Sequence, residues 1–382
     1  MYFNRKEMSP KFMIYLDNAA MMKPTEGVIN SVTLAMNEYW YNPSSAYKYG
    51  KEVKDDIEWA RRNVANVIGA DPSEIHFTSG ATESANILLD SLVPCGEVYI
   101  TAIEHPCIAN AECDVGILPV DKYGSIYPSE LPLFRDEYLE TTLLVIGANN
   151  EIGTIQPLDY IGNTICKARG FLFGSDLTQA FGHIPINVKD LNMSFAFGSG
   201  QKIGGLSGCG WLYVAKEHED LISPLLVGGG QDMFKGGTEN ITGIIALGEA
   251  SAEVIENLDE TIKYETELRD YMINRILSEI PDTILIGHPT NRLPNNINIG
   301  FGGCDSESIV QYLDMYDICC SAGSACHTKS VEPSTVLRAL RLPSKYINGS
   351  VRFSLSKDNT KEEVDEVIGV LKQFYASKDK DL

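Results

Sequence analysis

The chain has 382 residues, 44% apolar and 22% charged, and its 52 acidic residues against 31 basic ones give a net charge of −21. That length suits one large domain with a smaller companion, and so acidic a surface repels phosphate backbones and anionic bilayers, which argues against nucleic acid and membrane as partners. The opening MYFNRKEMSP has no apolar signal core and no run reaches the roughly 18 apolar residues of a membrane span, so a cytoplasmic protein with reduced cysteines is expected.

The elements follow in chain order. Val53, Ile57, Ala60, Val64 and Val67 recur at steps of three and four, which marks a helix that Gly69 ends. Strand-like runs come next at Ile75–Ser79, Val98–Thr101, Thr142–Ala148, Phe171–Asp176, Met193–Gly198 and Gly210–Val214. Helical patterns lie between several of them, and this alternation predicts an α/β fold, a mostly parallel sheet covered by helices on both faces. A helix is expected from about Asn240 to Ile280, with Leu268, Met272, Ile276 and Ile280 on one stripe. It exceeds ordinary globular length and reads as a bridge between two domains. Beyond it, Asn296–Gly300, a cysteine-bearing loop, Ser350–Leu355 and a helix over about Lys361–Tyr375 make a compact α+β unit, and the tail SKDKDL is expected to fray. The expected division is a large domain over 22–257 and a small one formed by 1–21 and 258–382.

Several stretches carry chemistry. "SGQKIGG" sets Lys202 in a nest of small residues after an apolar run, the setting of a desolvated, nucleophilic lysine; a buried structural lysine is the alternative. It is not a P-loop, which needs Gly-Lys-Ser/Thr where this chain has Gly200-Gln201-Lys202-Ile203. "FTSGATES" (Phe77–Ser84) ends a strand and starts a helix, which offers either a phosphate cradle or a plain Ser/Thr cap. "FGSDLTQAFG" puts Asp176 at the end of a buried strand, facing a cation or capping a helix, with Gln179 three residues on. "GANNEIGTIQP" offers its asparagines as turn residues or as ligands. His105 in "IEHPC" follows another strand and can stack on a ring or serve structure alone. A phosphate cradle, an acid for a ring nitrogen and a Schiff-base lysine are together what pyridoxal 5'-phosphate requires. Cys319, Cys320 and Cys326 are the nearest approach to a cysteine cluster and make no four-ligand zinc set, so no metal is expected.

With "IYLDNAA" (Ile14–Ala20), "NPSS" (Asn42–Ser45), "GGGQ" (Gly228–Gln231), "SAGSAC" (Ser321–Cys326), "EPS" (Glu332–Ser334) and "VRFSL" (Val351–Leu355) added, the chain resembles the cysteine desulfurases of the class V aminotransferase family over almost its whole length. The resemblance implies the fold-type-I architecture of pyridoxal-phosphate enzymes, L-cysteine as substrate, alanine and a protein persulfide as products, a homodimer, and a sulfur-acceptor protein. It implies roles as well. Lys202 holds the cofactor, Asp176 pairs with its ring nitrogen, and Asn150 and Gln179 sit by the ring hydroxyl and substrate. Ala81, Thr82, Ser199 and Gln201 hold the phosphate, which Thr238 reaches from the other subunit. His105 stacks on the ring and moves protons, Arg352 grips the substrate carboxylate, and Cys326 accepts the sulfur. Selenocysteine lyase and aminotransferase chemistry share this scaffold, and a degenerate, non-catalytic paralogue is a third alternative. The family usually has threonines at Met21 and Met22, histidines at Tyr47 and Gln201, and an arginine at Lys235; these departures bear on rate and substrate scope.

Overall fold

The computed structural model of the chain describes residues 13–126, 140–229, 234–322 and 334–378. β1 (Ile14–Tyr15) leads into α1 (Glu26–Glu38) and α2 (Lys48–Ile68). β2 (Ile75–Thr78), α3 (Ala81–Leu92), β3 (Gly96–Thr101), the short α4 (Pro106–Ala109), β4 (Gly116–Leu118) and β5 (Glu140–Ile146) follow. A π-helical turn, Tyr160–Cys166, runs into α5 (Lys167–Arg169), then come β6 (Leu172–Asp176), β7 (Phe195–Ser199), β8 (Gly210–Val214) and α6 (Ile241–Glu279). The remainder is β9 (Thr283–Leu285), β10 (Asn296–Phe301), α7 (Ser306–Asp314), β11 (Ile318–Cys319), β12 (Ser321–Ala322), α8 (Thr335–Ala339), α9 (Ser344–Ile347), β13 (Ser350–Ser354) and α10 (Lys361–Lys378).

The main sheet is 7-stranded in the order β2-β8-β7-β6-β5-β3-β4. Its neighbours pair in parallel except β8, which runs antiparallel to both β2 and β7. The period-two alternation of the strands feeds two cores. Leu143, Val145, Ala196, Trp211 and Tyr213 join one cluster, beneath α2 and the start of α6. Leu144, Phe195, Phe197, Leu212 and Val214 join the other, against α3. Both faces are thus apolar, as a helix-covered sheet requires. The stripe of α2 buries Val53, Ile57, Ala60 and Val64, and Gly69 closes the helix at φ 66°, a left-handed conformation that glycine adopts at little cost.

The helix α6 is 39 residues long, with Asn240 capping its start through Oδ1 and Ile280 at its end, as its apolar stripe led us to expect. Its first turns (Ile244, Leu247, Ala250) pack in the sheet core. Leu268, Met272 and Ile276 pack in a separate cluster with Ile297, Ile299, Phe353 and Leu371. That third core lies against an antiparallel 4-stranded sheet, β12-β13-β10-β9. The N-terminal strand returns to it, since β1 pairs with β11 and Leu16 is buried there. Sequence reasoning missed the short strands β1, β4, β9 and β12, which are too brief to show a period, while Cys319, which reads as strand core, does lie in β11. Among the described residues no helix is long and apolar enough to cross a membrane.

This topology positions the site. β3, β5, β6 and β7 run parallel, and β2 runs the same way because β8 reverses twice between it and β7. Their C-terminal ends therefore open on one edge, where α/β folds place ligands.

Candidate active site

Along that edge lies a cavity of about 450 Å³, within the usual range for a small-molecule site. Ala81, Thr82, His105, Asn150, Asp176, Gln179, Ser199, Gln201, Lys202 and Arg352 all line it, although they are scattered from residue 81 to 352. Thr238 is exposed and does not line the cavity of its own chain. Cys326 lies outside the described residues, while Ser321, Ala322 and Ser334, which flank its segment, do line the cavity.

One end of the cavity suits an anion. β2 stops at Thr78 and α3 starts at Ala81, with Gly80 at the N-cap. Gly80 has φ 151°, and no side chain caps the first turn. The amides there are left for a ligand, at the positive end of the helix. The backbone is also tightly packed, because a Cβ on Gly210 would come 2.6 Å from the Cα of Gly80. Ser199, at the end of β7, donates from its hydroxyl to Gln201 Oε1 at 3.2 Å, so these two side chains face each other beside the cradle.

The middle of the cavity holds the titratable groups. Asp176 ends β6 and is only 3% exposed. Burial raises its carboxyl pKa, opposed by the Thr178 amide, which donates to Oδ1 at 2.9 Å, and by His105 and Lys202 nearby. Burial lowers the pKa of His105, against the pull of Asp176, so its imidazole is neutral at pH 7. Its Nδ1 accepts the Cys107 amide at 3.2 Å, which assigns the ring proton to Nε2. Lys202 closes the short turn Gly200–Lys202 after β7, and its Nζ donates to Ala20 O at 2.7 Å. Gln179 donates to Ala19 O at 2.9 Å, so the "DNAA" stretch forms one wall.

The other end is built around Arg352 on β13, which is 8% exposed. One terminal nitrogen donates to Asp17 Oδ1 at 2.7 Å and the other to Asn150 O at 3.0 Å. Its Nε is buried without a partner. A guanidinium held by two bonds, with a donor to spare, is preorganised for a carboxylate.

Acidic residues absent from the sequence-based assignments also line this cavity. Asp17 orients Arg352, and Glu83 and Lys235 form an ion pair at the anion end. Glu104 is buried, its pKa pushed up to about 8 by burial, with hydrogen bonds from Thr101 and Ile146 in opposition and Asp176 reinforcing the rise. Glu151 accepts from Ser334 Oγ at 2.6 Å, and burial pushes its pKa up to about 7. Three of these acids stand inside "DNAA", "EH" and "NNEIG", but their sequence neighbours do not reveal their partners. Of the departures from the family pattern, Met21 is 49% exposed, the Met22 amide donates to Gln201 O at 3.0 Å, and Tyr47 packs edge-on against Tyr41.

The model of the family described as aminotransferase class-V matches residues 14–367. The chain belongs to that family. It is 40% identical to the cysteine desulfurase IscS of Methanosarcina thermophila, over 94% of this chain and 91% of that protein. It is 39% identical to the cysteine desulfurase IscS of Dictyoglomus turgidum, over 94% of each. Among solved structures, a NifS-like protein from Rickettsia africae superposes with a TM-score of 0.87 at 31% identity, covering 96% of this chain and all of that one. Class-V aminotransferases are pyridoxal-phosphate enzymes, and the main sheet with its helix-covered faces is consistent with their fold type I.

Proposed function

We propose that this chain is a cysteine desulfurase that binds pyridoxal 5'-phosphate on Lys202 and takes sulfur from L-cysteine. The observation that carries the reading is the order of groups along one cavity: an open helix start, then Asp176 and Lys202, then Arg352. The residues suit the cofactor. The uncapped first turn of α3, with Thr82, Ser199 and Gln201, offers neutral donors to a phosphate. Asp176, buried as it is, is held ionised best by a cation in the cavity, as a protonated ring nitrogen supplies.

When bound, the cofactor withdraws electrons from the substrate's α-carbon, so that its proton becomes acidic and its sulfur electrophilic. The chain's own groups do the rest. Arg352 fixes the carboxylate of L-cysteine, with Asp17 and Asn150 O holding the guanidinium in place. The amine of Lys202 takes the α-proton and later returns a proton to carbon. Neutral His105, with its proton on Nε2, serves proton transfer at the substrate's sulfur. The Cys326 thiolate attacks that sulfur. A Cys326–sulfur bond forms, the substrate's carbon–sulfur bond breaks with its electron pair left on carbon, and that carbon takes up a proton and departs as alanine.

We further propose a homodimer in which Thr238 completes the partner's phosphate end. Its exposure supports this, as do the outward-facing Met36, Trp40 and Val227, which are 70%, 72% and 88% exposed. The two cores joined by α6 support a large domain over 22–257 and a small one over 1–21 and 258–382. The physiological acceptor is a protein that receives the Cys326 persulfide. The test is incubation of the cofactor-loaded protein with L-cysteine and a thiol reductant. Sulfide and alanine are expected in equal amounts, and pyruvate in place of alanine would refute the reading.

A further inference from the structure

The anion end of the cavity contains an anion of its own. Glu83, in the first turn of α3, lines the cavity beside Ser79, Gly80 and Thr82. Its Oε2 accepts the Ser79 amide at 2.5 Å and the Lys235 ammonium at 2.7 Å, while Oε1 is buried without a partner. The pair is well shielded, with side-chain exposures of 9% for Glu83 and 16% for Lys235. Burial alone would push the Glu83 carboxyl up, but Lys235 and the Ser79 amide outweigh it, so the group is ionised. A carboxylate here, without its lysine, opposes a doubly charged phosphate at the same helix start.

We propose that Lys235 is a positioning residue of the cofactor site: it cancels the charge of Glu83 and so lets the start of α3 accept a phosphate dianion. Its location supports the role. Lys235 reaches Glu83 from a separate segment, tied down by the Gly236 amide on Leu226 O at 2.8 Å. The family's usual arginine at this position carries the same charge, so Lys235 keeps the function with a point donor in place of a fork. The inference rests on the cofactor reading above.

The experiment titrates pyridoxal phosphate into cofactor-stripped full-length protein at about pH 8, where an ordinary carboxylate is ionised, with phosphate-free pyridoxal as control. Lys235→Met is expected to weaken pyridoxal phosphate at least about tenfold and to leave pyridoxal unchanged. Lys235→Arg should bind as wild type does. The double variant Glu83→Gln/Lys235→Met should recover the lost affinity, because the charge that needed cancelling is gone. Equal affinity of Lys235→Met and wild type would overturn the proposal. So would a double variant as weak as Lys235→Met, since Lys235 would then act on the phosphate directly or only hold its segment. If Lys235→Met does not fold, Glu83→Gln alone decides: pyridoxal phosphate binding equal to or tighter than wild type supports the proposal, and weaker binding overturns it. A wild-type protein that takes up no pyridoxal phosphate refutes the functional reading itself, and the inference falls with it.

Discussion

Glu104→Gln should stabilise the protein by an amount that grows with pH. One carboxyl oxygen of Glu104 accepts from Thr101 Oγ1 at 2.6 Å and from the Ile146 amide at 2.8 Å, and the other is buried without a partner. Folding moves its pKa from the ordinary 4.5 up to about 8, because burial disfavours the charge. The folded state therefore holds this proton more tightly than the unfolded chain. Stability from this group is fully present below about pH 4.5 and is lost as pH rises towards 8. Each unit within that window costs about 1.4 kcal/mol, or about 3 kcal/mol by pH 7 and about 5 kcal/mol once the folded group ionises. Glutamine keeps the acceptor oxygen and carries no charge, so the variant escapes this loss. Urea unfolding of both proteins at about pH 5, 7 and 8.5 measures it. The gain of the variant is expected to be smallest at the lowest pH and to reach a few kcal/mol at the highest. A pH-independent difference, or a variant less stable than wild type at the highest pH, would refute the electrostatic argument.

Borohydride reduction of the cofactor-loaded protein should attach the cofactor irreversibly to Lys202, as peptide mapping would show, and Lys202→Ala should abolish the labelling. Arg352→Ala should raise KM for L-cysteine roughly a hundredfold in steady-state assays, since it removes a charged donor pair and leaves the Asp17 carboxylate unpaired. Cys326→Ser should instead keep the spectral response to L-cysteine and lose sulfide production, because a serine hydroxyl is a poor sulfur acceptor. Sedimentation should find a dimer, and a monomer with full cofactor occupancy would contradict the role proposed for Thr238.

The regular elements with a strong apolar stripe were legible, whereas α1, which buries only Val28 and Ala35, was not. The α2 stripe with its closing glycine and the reach of α6 are found as expected, to within a residue at each end of α6. The direction of β8 was not legible, because a strand between two short connections reads the same whichever way it runs. Within the site, Lys202, Asp176 and the glycine-led start of α3 stood out because each motif is local: a strand end followed at once by a turn or helix. Asp17 did not, because its meaning depends on an arginine 335 residues away. Glu83 did not stand out either, because its partner Lys235 lies far along the chain and only the fold brings the two together. Glu104 and Glu151 are polar letters inside strand-end motifs, and only the packing around them shows that Glu104 is buried and Glu151 half-buried.

The most direct test of the desulfurase reading is mass spectrometry of the Cys326 peptide after one turnover with L-cysteine and without reductant. The expected result is a gain of one sulfur atom on Cys326, matched by one alanine released per site. Alanine and sulfide released at the wild-type rate by Cys326→Ser, with no sulfur ever found on Cys326 of the wild type, would contradict it.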